Sequence, residues 1–113
     1  LAGKWRPGVI RSLLTLKALS FAPTGGIVAA PTTSLPEALG GVRNWDYRYA
    51  SVRDSTFALW GLYTLGLDRE ADDFFSFIAD VSGANNGERH PLQVMYAVGG
   101  ERELVEEELS PHR

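Results

Sequence analysis

The 113-residue chain contains no cysteine. That removes disulfide frameworks and thiolate chemistry, and it fits a reducing, cytoplasmic setting. Histidine is nearly as scarce. His90 and His112 are the two copies, and neither has a ligand partner at metal-binding spacing, so no metal site is expected. No run of about 18 apolar residues exists, so nothing reads as a membrane span. Positive charge is not in excess: 11 Lys and Arg face 14 Asp and Glu, a formal net charge of −3. A nucleic-acid surface is therefore not expected. No glycine-rich phosphate cradle is present, and no cofactor is implied. The opening Leu1-Ala2-Gly3-Lys4-Trp5 shows neither an initiator methionine nor a secretion signal, and the sequence stops abruptly at His112-Arg113. The expectation is an internal stretch, residues 1–113, of a longer protein that continues on both sides. Nothing specifies an oligomeric state.

What is present is mostly helical. Hydrophobic residues make up 44%, an ordinary globular value. Pro7 suits a first helical turn, and apolar residues from Val9 to Phe21 follow a helical period, with a stripe through 10, 13, 14 and 17 broken by Lys17. A helix near 8–21 is expected. Ser55 to Leu65 carries no charge and is apolar nearly all round, so a buried helix is expected near 54–66, capped by Asp54 or Ser55 and closed by Gly66. Asp68 is the expected cap of a third helix near 69–82. Its apolar stripe reads Ala71, Phe74, Phe75, Ile78 and Val81. An all-apolar helix joined by a short turn to a one-faced one is an αα-hairpin with an inner and an outer member. Rings of such hairpins make an α/α barrel, whereas a plain bundle would bury the apolar helix centrally. Ile27–Ala30 suits a short extended piece, and Leu92–Val98 a short strand. Asn86-Gly87 marks a turn, and the five glutamates of Glu101–Glu108 read as a solvated run.

One stretch does not fit a core or a loop. Arg43-Asn44-Trp45-Asp46-Tyr47-Arg48-Tyr49-Ala50-Ser51-Val52-Arg53-Asp54-Ser55 puts three aromatics, three arginines and two aspartates into thirteen residues. Aromatic faces beside charged forks suit a sugar, whose ring presents C–H faces and whose hydroxyls accept charge-assisted bonds. A structural ion-pair network beside a turn would gather the same residues. Thr32, Thr33 and Ser34 could likewise bond a ligand or their own backbone.

Asn44-Trp45-Asp46-Tyr47-Arg48-Tyr49 followed by Arg53-Asp54-Ser55 resembles the sugar-site segment of glycoside hydrolase family 15, the glucoamylases and the trehalase-like enzymes. Thr24–Glu37 upstream, and Leu92–Tyr96 with Gly100-Glu101-Arg102 downstream, resemble its bacterial branch, so the likeness covers nearly the whole chain. The resemblance implies an all-α fold, part of an (α/α)6 six-hairpin toroid with a few short strands in loops, and a carbohydrate substrate. It implies inverting hydrolysis of α-glucosidic bonds, in trehalose or at α-glucan ends. Such a reaction needs two carboxyl groups roughly 6.5–9.5 Å apart, an acid and a base. By the resemblance both are glutamates beyond residue 113, so no residue of this chain is catalytic. Substrate binding falls to Arg53 and Asp54, gripping glucosyl hydroxyls, and to Tyr47, beside the developing oxocarbenium charge. Trp45, Asp46, Arg48 and Tyr49 are expected to support the loop. The likeness departs at Ala50-Ser51-Val52: Ser51 stands where the family usually carries a tryptophan near the catalytic acid. That leaves a second class open, a non-catalytic or degenerate sugar-binding relative.

Overall fold

The computed structural model describes residues 3–88 and 90–106. Three helices dominate, α1 (Arg6–Leu19), α2 (Val52–Thr64) and α3 (Asp68–Val81), with a single 3-10 turn at Ala84–Asn86 and a two-stranded sheet of β1 (Tyr49–Ser51) and β2 (Met95–Ala97). Each helix starts one or two residues before its expected position.

The α2–α3 hairpin forms as its sequence dictates. Leu65 ends α2, and Gly66 follows with φ +75°, a left-handed conformation that costs glycine little. The Leu67 amide donates to the Leu62 carbonyl at 2.9 Å and the Gly66 amide to the Tyr63 carbonyl at 3.1 Å, a complete Schellman closure. Leu62 and Leu67 pack at this corner. The expected side-chain caps do not form. Ser51 and Leu67 occupy the two N-cap positions without a side-chain bond, which places Asp54 and Asp68 inside the first turns, where the helix dipole favours their charge. Ser55 instead donates its hydroxyl to the Ser51 carbonyl at 2.6 Å.

The core is small: Ile27, Ala50, Leu62, Ala71, Phe74, Phe77, Val81 and Tyr96. Phe74 and Phe77 stack with ring centres 6.1 Å apart. Phe77 takes the place that the sequence pattern gave to Phe75, which is exposed. The residues 71, 74, 77, 78 and 81 are the face that meets the core, and Phe75 points to the side of it. On α1 the inward face is also rotated from the expected stripe. Val9, Leu13, Leu16 and Leu19 are half-buried, while Ile10 and Leu14 are exposed. The reason is the core: Leu16 and Leu19 pack against it, and Leu16 Cδ1 lies over Gly61 of α2, 3.6 Å from where a Cβ would stand, an ordinary van der Waals distance. Lys17 lies outside the contact and pairs with Glu70 of α3.

Between α1 and α2 the chain reverses at Phe21–Ile27. Gly25, with φ +80°, lies so close to α3 that a Cβ would overlap the Asp73 carbonyl. Thr24 ties the turn to the far end of the chain by donating to the Val98 carbonyl at 2.6 Å. The strand expected over Leu92–Val98 is confined to Met95–Ala97, because the pairing surface offered by β1 is three residues long.

Candidate functional site

The upstream motif, Thr24–Glu37, folds back against the aromatic stretch itself. The amides of Ala29, Ala30, Ser34 and Glu37 donate to the carbonyls of Tyr49, Tyr47, Trp45 and Arg43, at 3.2, 2.9, 2.8 and 3.0 Å. The result is an irregular antiparallel hairpin whose second limb runs straight into β1 and then α2. Prolines at 31 and 36 keep its first limb extended but deny it a regular ladder.

Polar side chains lock this hairpin. Ser34 Oγ accepts from the Trp45 amide at 2.8 Å and donates to Asn44 Oδ1 at 2.9 Å, so this hydroxyl serves the backbone. Trp45 Nε1 donates to Glu37 at 3.4 Å, and Arg43 pairs with the same carboxylate at 3.6 Å. Arg48 grips Asp46 with a two-pronged fork, Nε to Oδ1 at 2.9 Å and Nη2 to Oδ2 at 2.6 Å, while its own amide donates to Oδ1 at 3.0 Å. The Arg48 bond holds the Asp46 carboxyl below the usual aspartate range, and Asp46 in turn raises Arg48. Both are committed to each other. The aromatic stretch thus carries separate bonded sets, Asp46 with Arg48, Ser34 with Asn44 and the Trp45 amide, and Arg43 with Glu37, and Tyr47, Arg53 and Asp54 stand outside them.

Those remaining groups are the ones the resemblance assigned to sugar. Arg53 and Asp54 sit in the first turn of α2 with side chains 85% and 49% exposed. They touch each other through one bond, Arg53 Nε to Asp54 Oδ1 at 3.2 Å. Tyr47 lies two residues before β1 with its ring exposed. Among the described residues no hydrogen bond joins Tyr47 to either of them. What connects the three is β1, whose register against β2 is Tyr49–Ala97, Ala50–Tyr96 and Ser51–Met95. Ala50 is small and fully buried against the ring of Tyr96, which fixes this face inward. Tyr49 and Ser51 alternate to the other face, half-buried. The Val52 amide donates to the Val94 carbonyl at 3.0 Å, so the first residue of α2 is also held by the β2 segment.

Glu101, Glu103 and Glu106 are exposed; Glu107, Glu108 and His112 lie outside the described residues. His90 pairs with Glu88 at 3.3 Å. Among the described residues no three His, Asp or Glu side chains gather as a metal would need. Among the described residues no helix is long and apolar enough to cross a membrane. One group escaped the sequence reading as a site feature. Arg102 folds back under β2, bonding the Val81 carbonyl at 2.8 Å and lying 5.9 Å over the Tyr96 ring. Its sign in the sequence is the Gly100-Glu101-Arg102 motif, which carries the resemblance but gives no role to the arginine.

Comparison with known proteins adds to this geometry. The family model of the glycosyl hydrolases family 15 matches residues 3–112. The trehalase of Mycolicibacterium smegmatis is 80% identical over 105 residues, covering 93% of this chain and 16% of that protein. The trehalase of Mycobacterium tuberculosis is 77% identical over 105 residues, 93% of this chain and 15% of its own length. A trehalase of the archaeon Thermoplasma acidophilum is 44% identical over 108 residues, 96% of this chain and 18% of that protein. The chain thus spans 15 to 18% of the length of these curated relatives. No solved structure matches it.

Proposed function

The chain belongs to the glycosyl hydrolases of family 15, and from that membership we propose that it supplies the glucosyl-binding subsite of an enzyme that hydrolyses trehalose. Arg53 and Asp54 hold hydroxyls of the terminal glucosyl unit, and Tyr47 lies beside the charge that develops at its anomeric carbon. The general acid and base come from elsewhere in the protein, spaced for a water and hence for inversion. The segment forms part of a six-hairpin α/α toroid with α2 as an inner helix, and a cysteine-free chain of this kind suits the cytoplasm. One observation carries the reading. Of the charged groups in the aromatic stretch, Asp46 and Arg48 are consumed by each other, whereas Arg53 and Asp54 are presented outward from a helix end fixed by β1. The trehalase names of the relatives favour trehalose over α-glucan ends.

The test is a chimera in which this segment replaces the matching residues of the Mycolicibacterium smegmatis trehalase. Release of glucose from trehalose is expected, with Asp54→Ala lowering kcat/KM. A chimera whose activity is indifferent to Asp54 contradicts the reading. Ser51 supports a second reading, a sugar-binding relative that has lost hydrolysis: a small hydroxyl stands opposite Met95 at the position where the family usually carries a tryptophan. If the chimera binds trehalose without cleaving it and Ser51→Trp restores cleavage, that second reading holds.

A further inference from the structure

We propose that Arg102 is a positioning residue for the sugar site, acting through β2 on the Arg53–Asp54 pair; this rests on the glucosyl-binding reading above. The starting point is the C-terminus of α3. Its last four carbonyls have no intrahelical partners, and its last turn carries no basic residue. Three of the four are satisfied locally: Ile78 by the Ser82 amide, Ala79 by the Ser82 hydroxyl and Asp80 by the Gly83 amide. The fourth, Val81, is satisfied from a distance by Arg102 Nη1 at 2.8 Å. A guanidinium is the side chain suited to that end of the helix, since the dipole leaves it negative.

The same guanidinium reaches two further elements. Nη2 donates to the Pro91 carbonyl at 3.3 Å, and the planar group lies 5.9 Å over the ring of Tyr96. Tyr96 is wholly buried, and its hydroxyl accepts from the Gln93 amide at 2.8 Å. Gln93 closes the circuit by donating Nε2 to the Arg102 carbonyl at 3.1 Å. Residues 91–96 are therefore clamped onto α3 by one side chain. This clamped segment is what holds the site. Tyr96 is paired with Ala50, Met95 with Ser51, and Val94 accepts from the Val52 amide, one residue before Arg53. No other cation in the described sheet region joins α3 to β2. Lysine could not replace it, because a point charge offers neither the fork nor the flat face.

The test uses the chimera and a cycle of Arg102→Met and Asp54→Ala, each alone and together, with kcat and KM for trehalose read separately. A displacement of the helix end by about 1 Å is enough to cost roughly 100-fold. Arg102→Met is expected to lower kcat/KM about 10- to 100-fold with Asp54 present, with KM raised, and by a clearly smaller factor with Asp54→Ala, because one of the two contacts it positions is then gone and only that of Arg53 is left. KM does not depend on how much of the protein has folded, so a purely stabilising role would leave it unchanged. Arg102→Lys, which retains the charge on α3, decides the matter in the same cycle if Arg102→Met yields no folded protein; it is expected to recover at most a few-fold. An effect of equal size in both backgrounds, or an unchanged KM, overturns the proposal. If Asp54→Ala alone changes nothing, the glucosyl-binding reading falls first and takes this proposal with it.

Discussion

Two aspartates of the aromatic stretch have the same chemistry and opposite fates. Asp46 is 29% exposed and held by the Arg48 fork; Asp54 is half exposed with one bond to its neighbour. Because bonding to Arg48 lowers the Asp46 pKa, the pair's contribution to stability is complete above the ordinary aspartate range. It is lost as the pH falls from there through the lowered value of the folded protein. In the chimera, the melting temperature of the unsubstituted protein minus that of Asp46→Asn is thus expected to be largest near neutrality and to shrink on acidification. A difference that grows on acidification contradicts the Arg48 assignment. Two glycines separate backbone strain from crowding. Gly66 and Gly25 both have positive φ, but only at Gly25 would a Cβ meet another element, the Asp73 carbonyl. Gly66→Ala is expected to cost about 1–2 kcal/mol from strain alone. Gly25→Ala is expected to cost about 2–5 kcal/mol, strain plus overpacking. Thermal unfolding of the two variants checks the order.

At the scale of elements, what was legible was local. The charge-free run from Ser55 to Leu67 and the acid-rich start at Asp68 announce α2 and α3, and Gly66 announces the turn between them, because each signal acts on its own neighbours. What was not legible depended on partners remote in sequence. The inward face of α1 is set by the core that Leu16 and Leu19 pack against, and neither the Ile10 nor the Leu13–Leu16 stripe is preferred until that partner is known. Strand β1 hides inside a polar-aromatic run because its partner, Met95–Ala97, lies beyond both helices. The site shows the same division. Tyr47, Arg53 and Asp54 could be assigned by resemblance, but the Asp46–Arg48 commitment and the Arg102 clamp are products of the fold. Leu62 belongs to the same charge-free run as Phe57, Trp60 and Tyr63, and the sequence gives all four the same buried helix. Of the four only Leu62 is buried, at the hairpin corner, while the other three are exposed. Leu62→Ala is therefore expected to cost about 2–5 kcal/mol by cavity formation, measured by thermal unfolding of the chimera. A cost below about 1 kcal/mol would show that the corner is not packed.

As a whole the molecule is a slab, 20 Å along its shortest axis, with a radius of gyration of 16.4 Å. A closed domain of this length would have about 13 Å. Its accessible surface is 8962 Å², against about 6,100 Å² for a folded monomer of this mass. The excess is apolar where α2 faces outward: Phe57 is 68% exposed and Trp60 71%, beside α1, which has no buried residue. An apolar face of that kind is what an inner toroid helix presents before its neighbours cover it. In the toroid proposed above further helices would cover that face, so Phe57→Ala is expected to cost about 3–5 kcal/mol in the chimera. The 113-residue chain alone is expected to aggregate or bind hydrophobic dye, and a sharp, reversible, concentration-independent unfolding transition would contradict that. The most direct measurement of the central proposal returns to Asp54. Unsubstituted and Asp54→Ala chimeras are assayed on trehalose and on each of its monodeoxy analogues. A charge-assisted bond to a hydroxyl is worth about 1.5–3 kcal/mol, so Asp54→Ala is expected to lower kcat/KM on trehalose roughly 10- to 150-fold. On the analogue that lacks the contacted hydroxyl the substitution is expected to change almost nothing, since the bond is already absent. If loss of Asp54 and loss of each hydroxyl in turn simply add, Asp54 does not hold the sugar and this segment is not the glucosyl-binding subsite.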